Sequence, residues 1–225
     1  MKILLLGPQG AGKGTQAQRL AQCTGGLHIS TGDLVRAEIK AGTELGRTIK
    51  DYNDRGELVP DDIVVAMVMG RLSAAQGWIL DGFPRTEAQA RALDAALHAT
   101  GSRIDAVIAL EAPDTALVDR LGGRRQSEAT GNIYHLVSNP PPSADPGPFV
   151  QRDDDKPANI LHRLAIYHKE TEPLKDYYAL SGRLIRIDAL QPIDAVTGAI
   201  LSALDYPSVA CKQPAQRAES YAHAS

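Results

Sequence analysis

The chain opens MKILLLGPQGAGKGTQ, and no other stretch constrains its fold as tightly. Ile3–Leu6 is a short apolar run of the kind a buried strand uses. Gly7–Gly14 then carries four glycines, and a helix-forming run follows to about Cys23. A strand, a glycine-rich loop and a helix in that order let backbone N–H groups converge on phosphate oxygens, because glycine has no Cβ in the way and the helix N-terminus adds favourable dipole. Lys13 supplies a point charge beside them. In the usual phosphate loop a Ser or Thr follows the lysine directly. Here Gly14 intervenes and Thr15 is displaced by one residue, still close enough to place its hydroxyl near the phosphates. A plain glycine turn with Lys13 solvated would explain the glycines but not the G-x-x-G-x-G-K-G-T spacing.

Similar strand-like runs recur at Leu27–Ser30, Trp78–Leu80, Ala106–Leu110 and Leu184–Ile187, each followed by a helical stretch. This alternation predicts an α/β fold: three layers, α/β/α, around a five-stranded parallel sheet. The spacing predicts helices over Asp62–Ala75, Glu87–Ala99, Asp114–Gly122 and Ile193–Leu204. Thr86 and Gln89 have the form of a capping box. At 225 residues the chain supports one well-filled core, burying roughly 70% of the surface the unfolded chain would expose.

The stretch Gln126–Gln151, SEATGNIYHLVSNPPPSADPGPF within it, breaks the alternation and is rich in proline. An insert of that length in a compact domain is a functional lid or a disordered loop. Arg120, Arg124 and Arg125 precede it and Arg152 and Arg163 follow, so it hangs between two clusters of cations. Beyond Tyr206 the chain has few large apolar residues, as a mobile tail would.

With 24 basic and 27 acidic residues the net charge is −3, which offers no overall basic field for nucleic acid or an anionic membrane. The two cysteines, Cys23 and Cys211, match neither a zinc spacing nor a disulfide framework. Together with the lack of an apolar run long enough for a signal peptide or a span, this points to the cytoplasm. Nothing demands a partner subunit, so a monomer is expected.

GPQGAGKGT resembles the nucleoside monophosphate kinases, and adenylate kinases of the long-lid form in particular. The resemblance extends in order through Ile29-Ser30-Thr31-Gly32-Asp33 with Arg36, Leu80-Asp81-Gly82-Phe83-Pro84-Arg85 with Gln89, Gly123-Arg124-Arg125, Ile133-Tyr134-His135, Arg152 ahead of Asp154-Asp155, and Arg163-Leu164. It implies reversible phosphoryl transfer from MgATP to AMP. It also implies a core of residues 1–29, 60–120 and 159–206, a helical monophosphate-binding insert at 30–59 and a lid at 121–158.

By that resemblance Lys13, Arg85, Arg124, Arg152, Arg163 and Asp81 are the catalytic candidates. Gly10, Ala11, Gly12, Lys13, Gly14, Thr15, Arg120, Arg124, Ile133, Tyr134 and Gln191 would bind ATP. Thr31, Arg36, Glu57, Leu58, Val59, Gly82, Phe83, Pro84, Arg85, Gln89, Arg152 and Arg163 would bind AMP. Arginine suits such work because its planar fork holds two phosphate oxygens while staying charged. Asp81, at a strand end where open α/β sheets bind ligands, would organise Mg²⁺ or its waters, or else merely open the Gly82 bend as an Asx turn. Gln89 would read the adenine edge or only close the capping box. Arg120 would stack on the ATP adenine. His135 has no cysteine companions, so no structural zinc is expected, and the ring is expected to pack with Tyr134. Asp154 and Asp155 would pair with arginines as the lid closes.

Two departures stand out. Pro157 and Ala158 occupy positions that are usually acidic in the family, which moves the helix start to about residue 156. Asp188-Ala189 replaces an Asp-Gly turn near the ATP base, and a left-handed Ala189 would be strained. The competing functions are the same transfer to UMP, CMP or GMP, a GTP donor, and a nucleotide-dependent switch without catalysis. No N-K-x-D tetrapeptide is present to favour the switch.

Overall fold

A computed structural model describes residues 1–54, 59–72, 75–152 and 155–207. Strands β1 (Lys2–Leu6), β2 (Leu27–Ser30), β3 (Trp78–Asp81) and β4 (Ala106–Glu111) join a late strand, Leu184–Asp188, in one five-stranded sheet, and every pairing in it is parallel. All five strands fall where the apolar runs placed them. The order puts β1 in the middle, flanked by β3 and β4. The loop after β1 therefore opens at the carboxyl edge of the sheet, between strands whose connections run to opposite sides, where such sheets bind ligands.

Strand alternation divides β1 between two layers. Ile3 and Leu5 pack with α1 (Lys13–Thr24), α6 (Asp114–Gly122), α7 (Pro157–Ile166) and α9 (Ile193–Ala203). Leu4 and Leu6 pack with α4 (Asp61–Leu72), α5 (Glu87–Ala99) and α8 (Leu174–Leu180). Both sets are almost wholly buried, and each such side chain contributes about 1.5–3 kcal/mol relative to exposure. Polar ties add register: Gln16 of α1 accepts from the Thr197 hydroxyl at 2.8 Å and donates to the Ile193 carbonyl at 3.1 Å, fastening α9 to the loop-bearing helix.

Two excursions leave this core. After β2 the chain forms α2 (Thr31–Ala41) and α3 (Glu44–Asp54), with Ser30 capping α2 by accepting from the Asp33 N–H at 3.3 Å. Between α6 and α7 lies a second sheet, antiparallel, of β5 (Arg124–Ser127), β6 (Ile133–His135) and β7 (Phe149–Val150). The proline-rich insert therefore contains ordered strands that its sequence did not announce. Pro157 stands in the first turn of α7, where a missing N–H costs nothing. That helix runs on through a π-helical turn, Tyr167–Thr171, into α8. The last strand is β8 (Leu184–Asp188).

Cys23 is 8% exposed and is not a free thiol, which removes cysteine usage as support for a reducing compartment. Among the described residues no helix is long and apolar enough to cross a membrane.

Candidate active site

The loop after β1 is shaped by its glycines. Gly7, Gly10 and Gly12 take φ of 143°, 86° and 92°, and a Cβ on Gly7 would stand 2.7 Å from the Leu110 carbonyl oxygen. No other residue type fits there without moving β4. Gly14 lies in the first turn of α1, and a side chain on it would point toward Asp81, whose Oδ2 sits 3.6 Å from the Cβ position. The glycine that interrupts the usual motif thus leaves open the space between the loop and the acid at the end of β3. Lys13 folds across the loop, its Nζ donating to the carbonyls of Gly7 at 2.7 Å and Pro8 at 2.9 Å. Burial and the cations Arg85, Arg163 and Arg124, against the opposing pull of Asp81, lower its pKa to about 8.

On the other side of Asp81 the chain makes a tight bend. Gly82 has φ 85°, and a Cβ there would lie 2.9 Å from the Thr31 hydroxyl. That hydroxyl donates to the Asp81 carbonyl at 3.1 Å, stitching the end of β2 to the end of β3. Phe83 is buried, and the peptide joining it to Pro84 is cis. Arg85 follows, its Nε donating to the Gly82 carbonyl at 3.0 Å. Desolvation lowers its pKa, with Asp81 opposing and Arg36 adding to the effect. Arg36 is paired with Asp33, and Asp33 also feels the charge of Arg152.

Gln89 departs from the capping box in an informative way. Thr86 caps α5 by accepting from the Gln89 N–H at 3.3 Å, as the motif requires. The Gln89 side chain, however, turns one residue further back and accepts from the Arg85 N–H at 2.8 Å, while its NH₂ donates to Asp61 at 2.7 Å. Val59 lies partly buried before Asp61. Glu57, Leu58 and Asp154 lie outside the described residues.

At the root of the antiparallel sheet, Arg124 donates to both carboxylate oxygens of Asp155 at 2.7 and 2.5 Å, and Arg163 approaches the same group at 3.9 Å. Asp155 is fully buried. The carboxylate holds Arg124, at the start of β5, and Arg163, on α7, toward Lys13, whose pKa registers both. Among the described residues, Lys13, Arg36, Arg85, Arg124, Arg152 and Arg163 gather around Asp33, Asp81 and Asp155. Such a concentration of cations suits a polyphosphate ligand.

A match to the adenylate kinase family model covers residues 5–183. The chain is 47% identical over 212 residues to an adenylate kinase of Lachnospira eligens, spanning 91% of this chain and all of that protein. It is 48% identical to that of Carboxydothermus hydrogenoformans over 91% and 99% of the two chains, and 45% identical to that of Staphylococcus aureus over 92% and 100%. The chain belongs to the adenylate kinase family. Its members named here match almost end to end, so the family assignment includes the insert after β2 and the antiparallel sheet as well as the core.

Within this adenylate kinase fold His135 and Ala189 sit otherwise than the sequence implied, and their neighbours are held as follows. Tyr134 commits its hydroxyl to Asp145 at 2.8 Å and packs edge-on against Phe149 with ring centroids 5.7 Å apart. Ile133 is 40% exposed. His135, on the opposite face of β6, does not pack with Tyr134: its ring lies on Gly123, and its Nδ1 accepts from the N–H groups of Val137 and Ser138 at 3.2 and 3.0 Å. Arg120 donates to the Ala189 carbonyl at 2.7 Å, which fixes its guanidinium beside the loop carrying the exposed Gln191. Ala189 does not adopt a positive φ, so the turn that replaces Asp-Gly carries no left-handed strain.

Three residues with no motif of their own prove central. Asp145 accepts from Ser127 at 2.7 Å, Thr130 at 2.7 Å, Tyr134 at 2.8 Å and the Gly147 N–H at 3.1 Å. Thr171 donates to the Arg85 carbonyl at 2.8 Å, tying the π-helical turn to the bend after β3. Asp61 holds Gln89. Their partners lie 15–18, 86 and 28 residues away in the chain for the side-chain contacts of Asp145 with Ser127 and Thr130, of Thr171 and of Asp61. No local spacing rule reaches that far.

Proposed function

We propose that this chain transfers the γ-phosphoryl group of MgATP reversibly to AMP, giving two ADP, and that the residues gathered above divide the work as follows. The loop amides, Lys13 and Thr15 hold the β and γ phosphates of ATP. Arg120, Ile133, Tyr134 and Gln191 border its base. Thr31, Arg36, Val59, Gly82, Arg85 and Gln89 receive AMP, and Glu57 and Leu58 belong with them by the family pattern. Arg85, Arg124, Arg152 and Arg163 neutralise the charge shared between the two substrates.

The transfer needs no general base. The attacking group is the AMP phosphate, ionised at neutral pH because its second pKa is about 6. A new O–P bond forms from that oxygen to the γ-phosphorus, the bond from the γ-phosphorus to the bridging oxygen breaks, and the electron pair leaves on ADP. Catalysis is then positioning plus electrostatics. Lys13, Arg85 and Arg124 are oriented by Gly7, Pro8, Gly82 and Asp155 through hydrogen bonds internal to the fold. The antiparallel sheet acts as a lid that keeps water, the competing acceptor, from the γ-phosphorus.

Asp81 fits a role with Mg²⁺. A hard cation that keeps most of its waters needs one or two carboxylates rather than a full protein cage, and Asp81 is a carboxylate facing the open space at Gly14. The ion, arriving with ATP, neutralises phosphate charge. We place the protein in the cytoplasm as a monomer.

The observation that carries this reading is the convergence of Lys13, Arg85, Arg124 and Arg163 with Asp81 at the loop after β1. Its test is ADP production with MgATP and each of AMP, UMP, CMP and GMP. Turnover is expected with AMP and at least about a hundredfold weaker with the others. A preference for a pyrimidine acceptor or GMP would replace AMP as substrate, and no product with any acceptor would leave a nucleotide-dependent switch.

A further inference from the structure

An amide side chain can read a base only if its two ends are told apart. The carbonyl oxygen of Gln89 accepts from a backbone N–H, that of Arg85, and its nitrogen donates to the Asp61 carboxylate. Each partner enforces the same orientation. A peptide N–H can only donate and an ionised carboxylate can only accept, so turning the amide over would set donor against donor at Arg85 and oxygen against oxygen at Asp61.

With one lone pair and one N–H used in this way, Gln89 has one N–H and one oxygen lone pair left to offer. The donor lies at the Asp61 end and the acceptor at the Arg85 end. Adenine presents an amino donor at position 6 beside a ring-nitrogen acceptor. Hypoxanthine and guanine present the reverse, an oxygen at position 6 beside an N1–H. An amide free to flip would serve either purine; one with fixed polarity serves one of them and leaves the other with two mismatched groups.

We infer that Asp61 is a specificity-determining residue: it fixes the polarity of the Gln89 amide and so makes the acceptor site select a 6-amino over a 6-oxo purine monophosphate. Asp61 does this as a positioning residue, from the first turn of α4. The inference rests on the proposed reading that Gln89 faces the AMP base.

Inosine monophosphate is the probe, because it differs from AMP only at position 6 and the N1 proton. The full chain, with saturating MgATP, is assayed for kcat and KM with AMP and with inosine monophosphate. Asp61→Asn keeps shape but can donate or accept. It is expected to lower the AMP-to-inosine monophosphate ratio of kcat/KM by about tenfold, through KM, with kcat on AMP held within about twofold. A merely structural contribution of Asp61 to the start of α4 would weaken both substrates equally and leave the ratio alone, which overturns the inference. Gln89→Leu separates the two layers of the reading. A ratio that collapses in Gln89→Leu but survives in Asp61→Asn removes Asp61 and spares Gln89, whereas a ratio unchanged in Gln89→Leu removes base reading by Gln89 and the inference with it. A measurement on the parent needs no variant to fold: ¹⁵N NMR of the nucleotide-free protein is expected to show one Gln89 side-chain proton exchanging slowly with water. Two freely exchanging protons would contradict the fixed amide.

Discussion

At the scale of single residues the site is governed by how the fold itself holds charge. Lys13 is the clearest case. Burial is the largest cause of its depressed pKa, with the arginines adding to it and Asp81 resisting. A lysine depressed in this way is penalised by the fold while charged. The penalty is full below about pH 8 and disappears as pH rises from about 8 toward the ordinary 10.5. A bound triphosphate supplies the missing anions and restores the proton. Calorimetry of ATP binding in buffers of different ionisation enthalpy is therefore expected to show net proton uptake at about pH 9 and none from this group at about pH 6.5, with the uptake lost in Lys13→Met. The lysine itself was legible in the sequence. Its restraint by the Gly7 and Pro8 carbonyls was not, because that depends on how the glycines bend the loop back over the side chain.

Among elements, the antiparallel sheet was the least legible and Asp145 explains why. Strands β5, β6 and β7 are 4, 3 and 2 residues long, too short to show an alternating pattern. Their cohesion comes instead from one carboxylate that accepts from three hydroxyls and a backbone N–H. Desolvation pushes the Asp145 pKa up, but the hydrogen bonds from Ser127, Thr130, Gly147 and Tyr134 outweigh it and hold the carboxyl well below the usual range. A carboxylate depressed in the fold adds stability above its unfolded pKa and loses it only as pH falls through the folded value. Acid should thus open this sheet late. Asp145→Ala is expected to raise hydrogen exchange across residues 124–150 by at least about tenfold while protection in β1 and β4 is kept. Equal loosening of sheet and core would contradict a sheet held by its own node. The parallel strands, by contrast, were plain in the sequence, since buried strands read as unbroken apolar runs and each is followed by its helix.

For the molecule as a whole, chain order and spatial order differ, and that difference assembles the site. Lys13, Arg85, Arg124 and Arg163 are scattered through the sequence, yet the loop after β1, the bend after β3, the start of β5 and α7 bring them within reach of one another. Motif order made the candidates recognisable; only the sheet topology accounts for their meeting. Asp61 holds Gln89, Asp155 holds Arg124 and Arg163, and Thr171 holds the Arg85 carbonyl, each acting across the fold rather than along the chain. The account stands on charge neutralisation by positioned cations. Steady-state ADP formation from MgATP and AMP by folded Lys13→Met and Arg85→Ala variants tests it most directly. Each is expected to lose at least about a thousandfold in kcat with its circular dichroism spectrum unchanged, and a folded variant of either kind that turns over at the parent rate would contradict the account.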